Sequence, residues 1–591
     1  MIGLVQMMIQ ELLAAGEKLE ADGHFFQAHA AYEKVLHKDP SAWIAHLRIG
    51  NLYHLLHHQE ESIAHYEKAA ALSPHSPEIW HNLGNTYQDL YQPEKAEEMY
   101  DRALQESPDF VPSLCELGAL LAKTGRIQEG IRNLEKALFL NPRHPASNLA
   151  LATVRARQGF VDDAIPLYRR ALEIKPNDWR AYSSLLFFLF FSSRLSPLDV
   201  FQDYKKWDES FAGKLAPKNT AWPQSKDPHR CIRLGFVSPD FREHPVANYL
   251  EPFIAKHDPA HFTVFCYSSV EKEDETTRHF KLQRVTWVDC TRLNASELHQ
   301  QILKDQIDIL VDLSGHMAGH RLLTFANRAA PVQITQIGYP ASTGLKQMDF
   351  RISDPWMDPE GMAETFHTER LLRLPHCAFC YQPLSQAPDP GPPPMLRTGR
   401  VTFGSFNNFA KVSEKNATAW EKILYDVPDS RLLILIKGGE SNRPDIARKF
   451  PNISPDRILL EDIRPRMEYL TLHLQVDVLL DTFPYSGGLT TFEALWMGVP
   501  GATLATEHSS GRHGLSIYQN LDMPELIARD VDQYIRINTD LAKDSERIST
   551  LRSTLREKMT RSPLMDRTKY VQGLETCYRS AWQWWCNMKD S

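Results

Sequence analysis

A period of 34 residues runs through the first third of the 591-residue chain and limits what this part can fold into. Four columns of similar residues share the period: prolines, two sets of small residues, and a mostly aromatic set. The columns are Pro40, Pro74, Pro108, Pro142, Pro176; Gly16, Gly50, Gly84, Gly118, Ala152; Ala28, Ser62, Ala96, Gly130, Ala164; and Tyr32, Tyr66, Tyr100, Leu134, Tyr168. Such a period indicates stacked supersecondary units rather than one globular core.

The residue types in these columns predict pairs of closely packed helices. Small residues allow two antiparallel helices to approach, proline ends the second helix, and we expect the aromatic residue to pack on the neighbouring pair. The pattern resembles the tetratricopeptide repeat and predicts five repeats and a capping helix over residues 1–195. Such a superhelix has a groove that binds extended polypeptide, and a spacer or dimerisation arm is the alternative.

Composition excludes several classes of protein. A net charge of −8 and a pI near 6.3 argue against a nucleic-acid-binding protein with a broad basic surface. The eight cysteines are mostly scattered, which favours a reduced compartment. The longest apolar run, Leu185–Phe191, is far shorter than the ~20 residues that span a bilayer, and the N-terminus lacks a secretory signal. We therefore expect a soluble, cytoplasmic protein that binds neither nucleic acid nor membrane.

Beyond a helical linker at residues 196–230, short apolar runs alternate with helical stretches. Continuous apolar runs separated by helices indicate parallel strands buried on both faces. The predicted strands are Ile232–Val237, Phe262–Tyr267, Ile307–Val311, Val332–Ile337, Val401–Phe403, Arg431–Ile436, Arg457–Leu460 and Val476–Leu480. A proline-rich connector at 387–396 divides this region into lobes at 231–386 and 397–591. Two doubly wound lobes place a ligand cleft at the carboxyl ends of their strands.

One segment of the second lobe has the features of a phosphate site. After the strand that ends near Leu480 come the glycine pair Gly487 and Gly488, the hydroxyls of Thr490 and Thr491, and a helix. Glycines permit close backbone approach, and free amides at a helix N-terminus bind phosphate. Glu493, one turn into the helix, is placed to accept hydrogen bonds from ribose hydroxyls. A threonine N-cap with a capping-box-like glutamate is the alternative interpretation.

Two further loops open onto the same cleft. Phe406–Lys411 follows the first strand of the second lobe, and Lys411 there can neutralise a diphosphate leaving group; a surface lysine is the alternative. His244 follows the first strand of the first lobe and has a side chain that titrates near neutral pH. The loops at 312–316 and 338–344 are expected to line the same face.

The repeats and these motifs together resemble the O-linked N-acetylglucosamine transferase family, including its plant Spindly-type members. The resemblance implies an α plus α/β protein, with a tetratricopeptide superhelix followed by two Rossmann-like lobes of the GT-B type. It also implies an inverting transfer of a sugar from a nucleotide sugar to Ser or Thr hydroxyls of proteins. No metal or other cofactor is implied, and protein or peptide acceptors are expected to bind through the repeat groove.

The family's functional residues fall on particular positions of this chain. The resemblance assigns His244 as an active-site histidine, Lys411 as a diphosphate-binding lysine and Thr490 as a phosphate-binding threonine. It assigns Glu493 as the acidic residue that binds ribose and Asn408 to a glutamine position near the nucleotide. Arg466 and Tyr469 fall at two positions near the base. The predicted catalytic residues are His244 and Lys411. The predicted nucleotide-sugar site comprises Asn408, Lys411, Arg466, Tyr469, Gly487, Gly488, Thr490, Thr491 and Glu493.

The chain also departs from the animal enzymes of the family. They carry His-Thr-Thr where this chain has Gly488-Leu489-Thr490, and the segment Asp481–Tyr485 is closer to Spindly-type members, whose plant representative uses GDP-fucose. We expect transfer of N-acetylglucosamine from its UDP-sugar. The alternatives are another donor, GDP-fucose or UDP-glucose, and a tetratricopeptide scaffold whose inactive transferase region only binds nucleotide.

The repeat groove departs from the family as well. Of the family's asparagine ladder in the groove only Asn82 remains.

Overall fold

A computed structural model of the chain describes residues 2–215, 217 and 222–588. The chain forms two compact units, Met1–Val154 and Arg155–Ser591. Residues 216 and 218–221 of the predicted linker, Met1 of the N-terminal segment and the last three residues lie outside the described residues. In the described part of the chain, no helix combines the length and apolar character needed to cross a membrane.

The first ten helices follow the 34-residue period, and each even-numbered helix ends two residues before a proline of the proline column. The helices are α1 Ile2–Ala21, α2 Phe25–Lys38, α3 Trp43–Leu55, α4 Gln59–Leu72, α5 Pro77–Asp89, α6 Pro93–Glu106, α7 Val111–Lys123, α8 Ile127–Leu140, α9 Pro145–Arg157 and α10 Val161–Ile174. The predicted helical repeats are confirmed, because proline interrupts the helical hydrogen bonds where the period places it.

The aromatic column makes contacts within its own helix pair in addition to the predicted packing toward the next pair. A side chain at Gly50 of α3 would come within 2.6 Å of the Tyr66 ring of α4. The Tyr66 hydroxyl donates to Asn51 Oδ1 of α3 at 2.8 Å, and Tyr100 of α6 repeats this bond to Asn85 of α5 at 2.7 Å. The glycine therefore leaves room for the ring inside its own helix pair, and the ring also belongs to the apolar cluster shared with the next pair, as Tyr66 does with Ile79 and Leu83 of α5.

The first lobe of the second unit contains a seven-stranded parallel sheet in the order β3-β2-β1-β4-β5-β6-β7. Two helices precede it, α11 Trp179–Leu189 and α12 Pro197–Trp207. Its strands are β1 Ile232–Ser238, β2 Phe262–Ser268, β3 Thr286–Asp289, β4 Ile309–Asp312, β5 Val332–Thr335, β6 Phe350–Ser353 and β7 Arg370–Arg373. Its helices are α13 Pro245–Lys256, α14 Glu275–Lys281, α15 Ala295–Lys304 and α16 Leu322–Ala326.

The second lobe contains a four-stranded parallel sheet in the order β10-β9-β8-β11 and a short parallel pair, β12 and β13. The strands are β8 Thr402–Ser405, β9 Arg431–Leu435, β10 Ile458–Glu461, β11 Val478–Leu479, β12 Thr503–Leu504 and β13 Ile527–Ala528. The helices are α17 Met395–Thr398, α18 Glu414–Asp426, α19 Arg443–Lys449, α20 Arg466–Leu472, α21 Leu489–Trp496, α22 His513–Asn520, α23 Val531–Lys543, α24 Ser545–Arg561 and α25 Arg567–Cys586.

The terminal helix α25 packs on the first lobe. Its buried face joins the apolar core formed by the strands of the first sheet. The Tyr578 hydroxyl donates to Gln336 Oε1 at 2.8 Å, and Trp582 Nε1 donates to the Asp227 carbonyl at 2.9 Å. The first lobe therefore includes the C-terminal helix in space, although the sequence places that helix after the second lobe.

The strand order brings the candidate loops together. In the second lobe β8 and β11 are hydrogen-bonded neighbours, so the loops after Ser405 and Leu479 leave the same edge of the sheet side by side. In the first lobe β1 lies at the centre, paired with β2 and β4, and the segment after Ser238 leads to His244. Carboxyl ends of central strands are where open α/β sheets bind their ligands.

Candidate functional site

Hydrogen bonds join the two loops of the second lobe that the sequence singles out. Lys411 Nζ donates to the Ser486 carbonyl at 3.0 Å, and the Thr490 hydroxyl donates to Asn407 Oδ1 at 2.9 Å. Both bonds cross from the loop after β8 to the loop after β11. We call Lys411, Gly487, Gly488, Thr490 and Thr491 the glycine cradle.

Asp481 holds the backbone of the glycine cradle in place. Its Oδ1 accepts hydrogen bonds from the Gly487 amide at 2.7 Å and the Thr482 amide at 2.8 Å, and its Oδ2 accepts one from the Thr503 hydroxyl at 2.7 Å. The carboxyl is fully enclosed, and burial raises its pKa while Lys411 opposes the rise. Asp481 is therefore a positioning residue, because its hydrogen bonds fix the backbone of the loop that contains Gly487.

The two glycines of the cradle have different spatial requirements. A side chain at Gly487 would overlap Thr491 Oγ1 and come within 2.8 Å of Thr490 Oγ1, whereas one at Gly488 would meet Tyr249 Oη at 3.9 Å, an ordinary van der Waals contact. Gly488 is the N-cap of α21, so the first amides of that helix have no acceptor inside the helix. The Thr491 hydroxyl is buried and has no hydrogen-bond partner in the described part of the chain. Free amides and an unused hydroxyl thus occur together in the first turn of α21, the kind of groups that bind an anion.

Lys411 supplies the positive charge of the cradle. Its ammonium lies 3.9 Å above the centre of the Tyr485 ring, which is itself stacked on the His513 imidazole. Burial lowers the pKa of Lys411 to about 7, and the Asp481 carboxyl opposes this fall. A buried lysine with few compensating charges favours a bound anion, because an anion restores the partner that water otherwise provides.

His244 stands at the first-lobe side, as the N-cap of α13. Its Nδ1 accepts a hydrogen bond from the Val246 amide at 3.3 Å and lies 3.7 Å from Asp240 Oδ2, so Nε2 is the nitrogen left for a ligand. Burial lowers the pKa of His244, and Asp240 opposes the fall. His244 and Arg466, from the first and second lobes, line one cavity of about 370 Å³. The structure therefore brings the predicted histidine to the cleft.

The predicted ribose carboxylate already has a protein partner. Arg466 approaches Glu493 through Nε at 3.1 Å and Nη2 at 3.0 Å, and both contacts use Oε1. Burial raises the pKa of Glu493, with Arg466 opposing the rise. Tyr469 lies behind this pair and packs edge-on against Phe406 and His473. Arg466 and Glu493 thus form one charged unit at the cleft, and Tyr469 supports the loop from inside the lobe.

Asn408 and Asn407 differ in a way that the sequence does not reveal. Asn408 is exposed and accepts a hydrogen bond from the Ala410 amide at 3.1 Å, which caps the short helical turn of Phe409–Lys411. Asn407 is 3% exposed and binds both Thr490 and Asp481. The side chains of neighbouring residues point to different sides of the loop, so only the structure shows which asparagine joins the cradle.

The structure also brings Asp481, Tyr485 and Tyr249 to the site, which the sequence pattern does not single out. A carboxylate directly after a strand and before a glycine pair is the available signal for Asp481. Tyr249 is buried, and its hydroxyl is the nearest protein atom to the side-chain position of Gly488, at 3.9 Å. Nothing in its local sequence indicates that place, because α13 belongs to the other lobe.

Comparisons with known proteins agree with this architecture. The sequence matches Glycosyl transferase family 41 over residues 215–383 and 395–574. Tetratricopeptide repeat families match at residues 58–90, 77–110 and 115–178. The first match covers both lobes, and the repeat matches fall within α4–α10 and the turn that follows α10.

Plant relatives and a bacterial structure share much of the sequence. The chain is 36% identical over 427 residues to the tomato (Solanum lycopersicum) "Probable UDP-N-acetylglucosamine--peptide N-acetylglucosaminyltransferase SPINDLY", which is 70% of this chain and 45% of that protein. The corresponding Arabidopsis thaliana protein SEC is 28% identical over 60% of this chain and 38% of its own length. A mutant of Thermobaculum terrenum O-GlcNAc transferase superposes with a TM-score of 0.80 and 32% identity, covering 86% of this chain and 98% of that one. The chain thus spans less than half the length of these plant relatives.

Proposed function

Because the chain belongs to glycosyl transferase family 41, we propose that it transfers N-acetylglucosamine from UDP-N-acetylglucosamine to serine and threonine hydroxyls of proteins. The observation that carries the proposal is the glycine cradle, in which Lys411, the α21 amides and the unpartnered Thr491 hydroxyl converge. These groups suit the diphosphate of a nucleotide sugar. The names of the plant relatives and of the bacterial structure support this choice of donor and acceptor.

The proposed reaction relies on fixed positive charge in place of a metal ion. As the bond between the sugar and the diphosphate breaks, negative charge grows on the departing diphosphate. The Lys411 ammonium and the amides at the start of α21 stabilise that charge, which lowers the barrier because they are already oriented. His244, on the opposite lobe, offers Nε2 to the sugar or the acceptor hydroxyl. The Arg466–Glu493 pair receives the ribose.

The proposal extends to partners and location. The repeats of the first unit bind the acceptor polypeptide. They do so without the family's asparagine ladder, because Asn82 is the lone asparagine at its position of the repeat and donates to Asn51 at 2.9 Å. All eight cysteines are free thiols, as the reduced cytoplasm requires. Free thiols support the proposal that the protein works on cytoplasmic acceptors, and we propose that it uses no bound cofactor.

A donor panel tests the proposed function. The purified chain is incubated with labelled UDP-N-acetylglucosamine, UDP-glucose or GDP-fucose and a mixture of Ser- and Thr-containing peptides. We expect incorporation from UDP-N-acetylglucosamine, with UDP competing better than GDP. Incorporation from GDP-fucose alone would assign the alternative donor suggested by the Asp481–Tyr485 segment. Nucleotide binding without turnover on any donor would instead leave the scaffold interpretation.

A further inference from the structure

Tyr249 is a first-lobe residue whose side chain enters the second lobe. It lies on α13, five residues after His244, and is 4% exposed. Its ring packs against Phe379 at 4.6 Å between centroids and against Phe492 of α21 at 6.2 Å. The ring is therefore fixed by apolar contacts, and the hydroxyl at its tip cannot swing away to find water.

The Tyr249 hydroxyl has no hydrogen-bond partner in the part of the chain that the structure describes. Burying a hydroxyl without a partner costs free energy, and phenylalanine would fill the same space without that cost. Burial also raises the pKa of the Tyr249 phenol well above its ordinary value, so the group stays protonated and can donate. An unused buried donor calls for an explanation outside the protein's own hydrogen bonds.

The position of the hydroxyl indicates what it serves. Tyr249 Oη lies 3.9 Å from the side-chain position of Gly488, and His513 Cδ2 lies 4.0 Å from that position. Gly488 caps α21, where the free amides begin, and the Thr491 hydroxyl nearby is likewise unpartnered. Two orphan hydroxyls, one from each lobe, thus lie beside the adjacent glycines that precede α21: the Tyr249 hydroxyl beside Gly488 and the Thr491 hydroxyl beside Gly487. A ligand oxygen held at the start of α21 would give the Tyr249 hydroxyl an acceptor.

We propose that the Tyr249 hydroxyl donates a hydrogen bond across the cleft to an oxygen of the nucleotide-sugar donor, beside the start of α21. The inference rests on the proposed function, because it names a further donor-contacting residue of that site. The oxygen belongs to the diphosphate or to the sugar attached to it. Tyr249 thereby makes donor binding depend on both lobes, since its helix also carries His244.

Tyr249→Phe tests this contact, because the substitution removes the hydroxyl and keeps the ring. We measure thermal unfolding and, by calorimetry, the affinity for UDP and for UDP-N-acetylglucosamine. The free variant should unfold at the same or a higher temperature than the wild type. Its affinity should fall by about tenfold to a hundredfold, the range expected when a hydrogen bond to a charged group is lost. Equal losses for both ligands place the contact at the diphosphate, and a loss for the UDP-sugar alone places it at the sugar.

Tyr578→Phe is the matched control. Its hydroxyl is also buried on the first lobe but donates to Gln336 at 2.8 Å, so its removal should lower stability and leave both affinities unchanged. Unchanged affinities in Tyr249→Phe, or a loss of stability without ligand like that of the control, would overturn the proposal. If the wild-type protein binds UDP but transfers no sugar, the proposed function is contradicted. The affinities of Tyr249→Phe and the wild type for UDP still test the proposed contact in that case. Failure of the wild type to bind either ligand would overturn both.

Discussion

At the scale of single residues, we expect Lys411 to make donor binding depend on pH. Its pKa is lowered to about 7, so above pH 7 the free protein holds mostly a neutral amine there. A diphosphate favours the ammonium, and binding above pH 7 must therefore take up a proton. Affinity for the donor should fall as pH rises from 7 toward 9, by up to about tenfold per pH unit.

Calorimetry in buffers of different ionisation enthalpy measures this proton uptake directly. His244 does not account for it, because its pKa is lowered from an ordinary value that is already below 7. In Lys411→Ala the affinity should be weak and independent of pH over the same interval. A wild-type affinity that stays constant from pH 7 to 9 would contradict the assignment of the lysine to the diphosphate.

The adjacent glycines of the cradle should respond differently to alanine. Gly487→Ala forces the methyl group against Thr490 and Thr491, so we expect a loss of about 1–3 kcal/mol in the free energy of unfolding, the usual cost of overpacking. Gly488→Ala places the methyl in ordinary van der Waals contact with Tyr249 and His513 at the helix cap, and its cost should stay within about 1 kcal/mol.

Donor affinity separates the two substitutions further. The Gly488→Ala methyl occupies the space beside the first α21 amides, so donor binding should weaken although the fold is intact. Chemical denaturation and donor titration of both variants provide the measurement. Equal destabilisation by the two substitutions, or full donor affinity in Gly488→Ala, would show that the ligand does not lie above Gly488.

At the scale of elements, the end of the repeat region is part of the second unit. Lys449 Nζ of α19 donates to the Gly159 carbonyl at 2.6 Å, Arg448 lies over the Phe160 ring, and Arg155 lies 3.7 Å from Asp445. The chain should therefore tolerate removal of residues 1–154. Removal of residues 1–177 deletes these contacts and exposes Lys449 to water, so we expect it to lower the free energy of unfolding by roughly 1.5–3 kcal/mol, the net contribution of a hydrogen bond to a charged group.

Urea unfolding of the two truncated proteins checks this difference. The shorter deletion should also retain donor hydrolysis while modification of protein acceptors falls, because the groove of the first unit is gone. Similar stability of both truncated proteins would mean that the α10 contacts contribute little. Equal loss of hydrolysis and protein modification after the shorter deletion would remove the support for a binding groove.

The strands that could be predicted from the sequence are the buried ones. All eight predicted strands are present, and each lies in an apolar run such as that of β1, although β10 and β11 are edge strands. The strands β3 and β7 include exposed residues, β6 is a four-residue strand containing Arg351, and β12 and β13 are two residues long, so none of these five has a long apolar pattern. Strands without an apolar run depend on tertiary pairing, which local sequence does not encode.

The candidate site likewise contains residues that the sequence could predict and residues that it could not. Lys411, Gly487, Gly488 and the hydroxyls after them follow strand ends, and strand order alone brings them together. Tyr249 depends on how the two lobes meet, and Asn407 on which way one loop residue turns. Contacts between lobes and side-chain directions in loops have no periodic signal, so the structure was needed for both.

At the scale of the whole molecule, we propose that the charge arrangement of the cradle makes a metal ion unnecessary. Lys411 and the α21 amides provide the positive field that a divalent ion supplies in other transferases. Sugar transfer should continue unchanged in excess chelator, as measured by incorporation of labelled sugar into a peptide. Loss of activity in chelator, restored by added manganese, would contradict this account.

The turnover of Lys411→Ala tests the central claim, that this chain is a sugar transferase whose cradle stabilises the departing diphosphate. The ammonium interacts more strongly with the transition state than with the bound donor, because charge grows as the bond breaks. Single-turnover transfer with saturating donor should therefore slow by roughly 10²–10³, as for removal of one preorganised charge-stabilising group. Lys411→Arg should recover part of the rate, since its planar fork does not reproduce a compact ammonium. Near-full turnover in Lys411→Ala, with turnover lost in His244→Ala, would show that the leaving group is stabilised elsewhere.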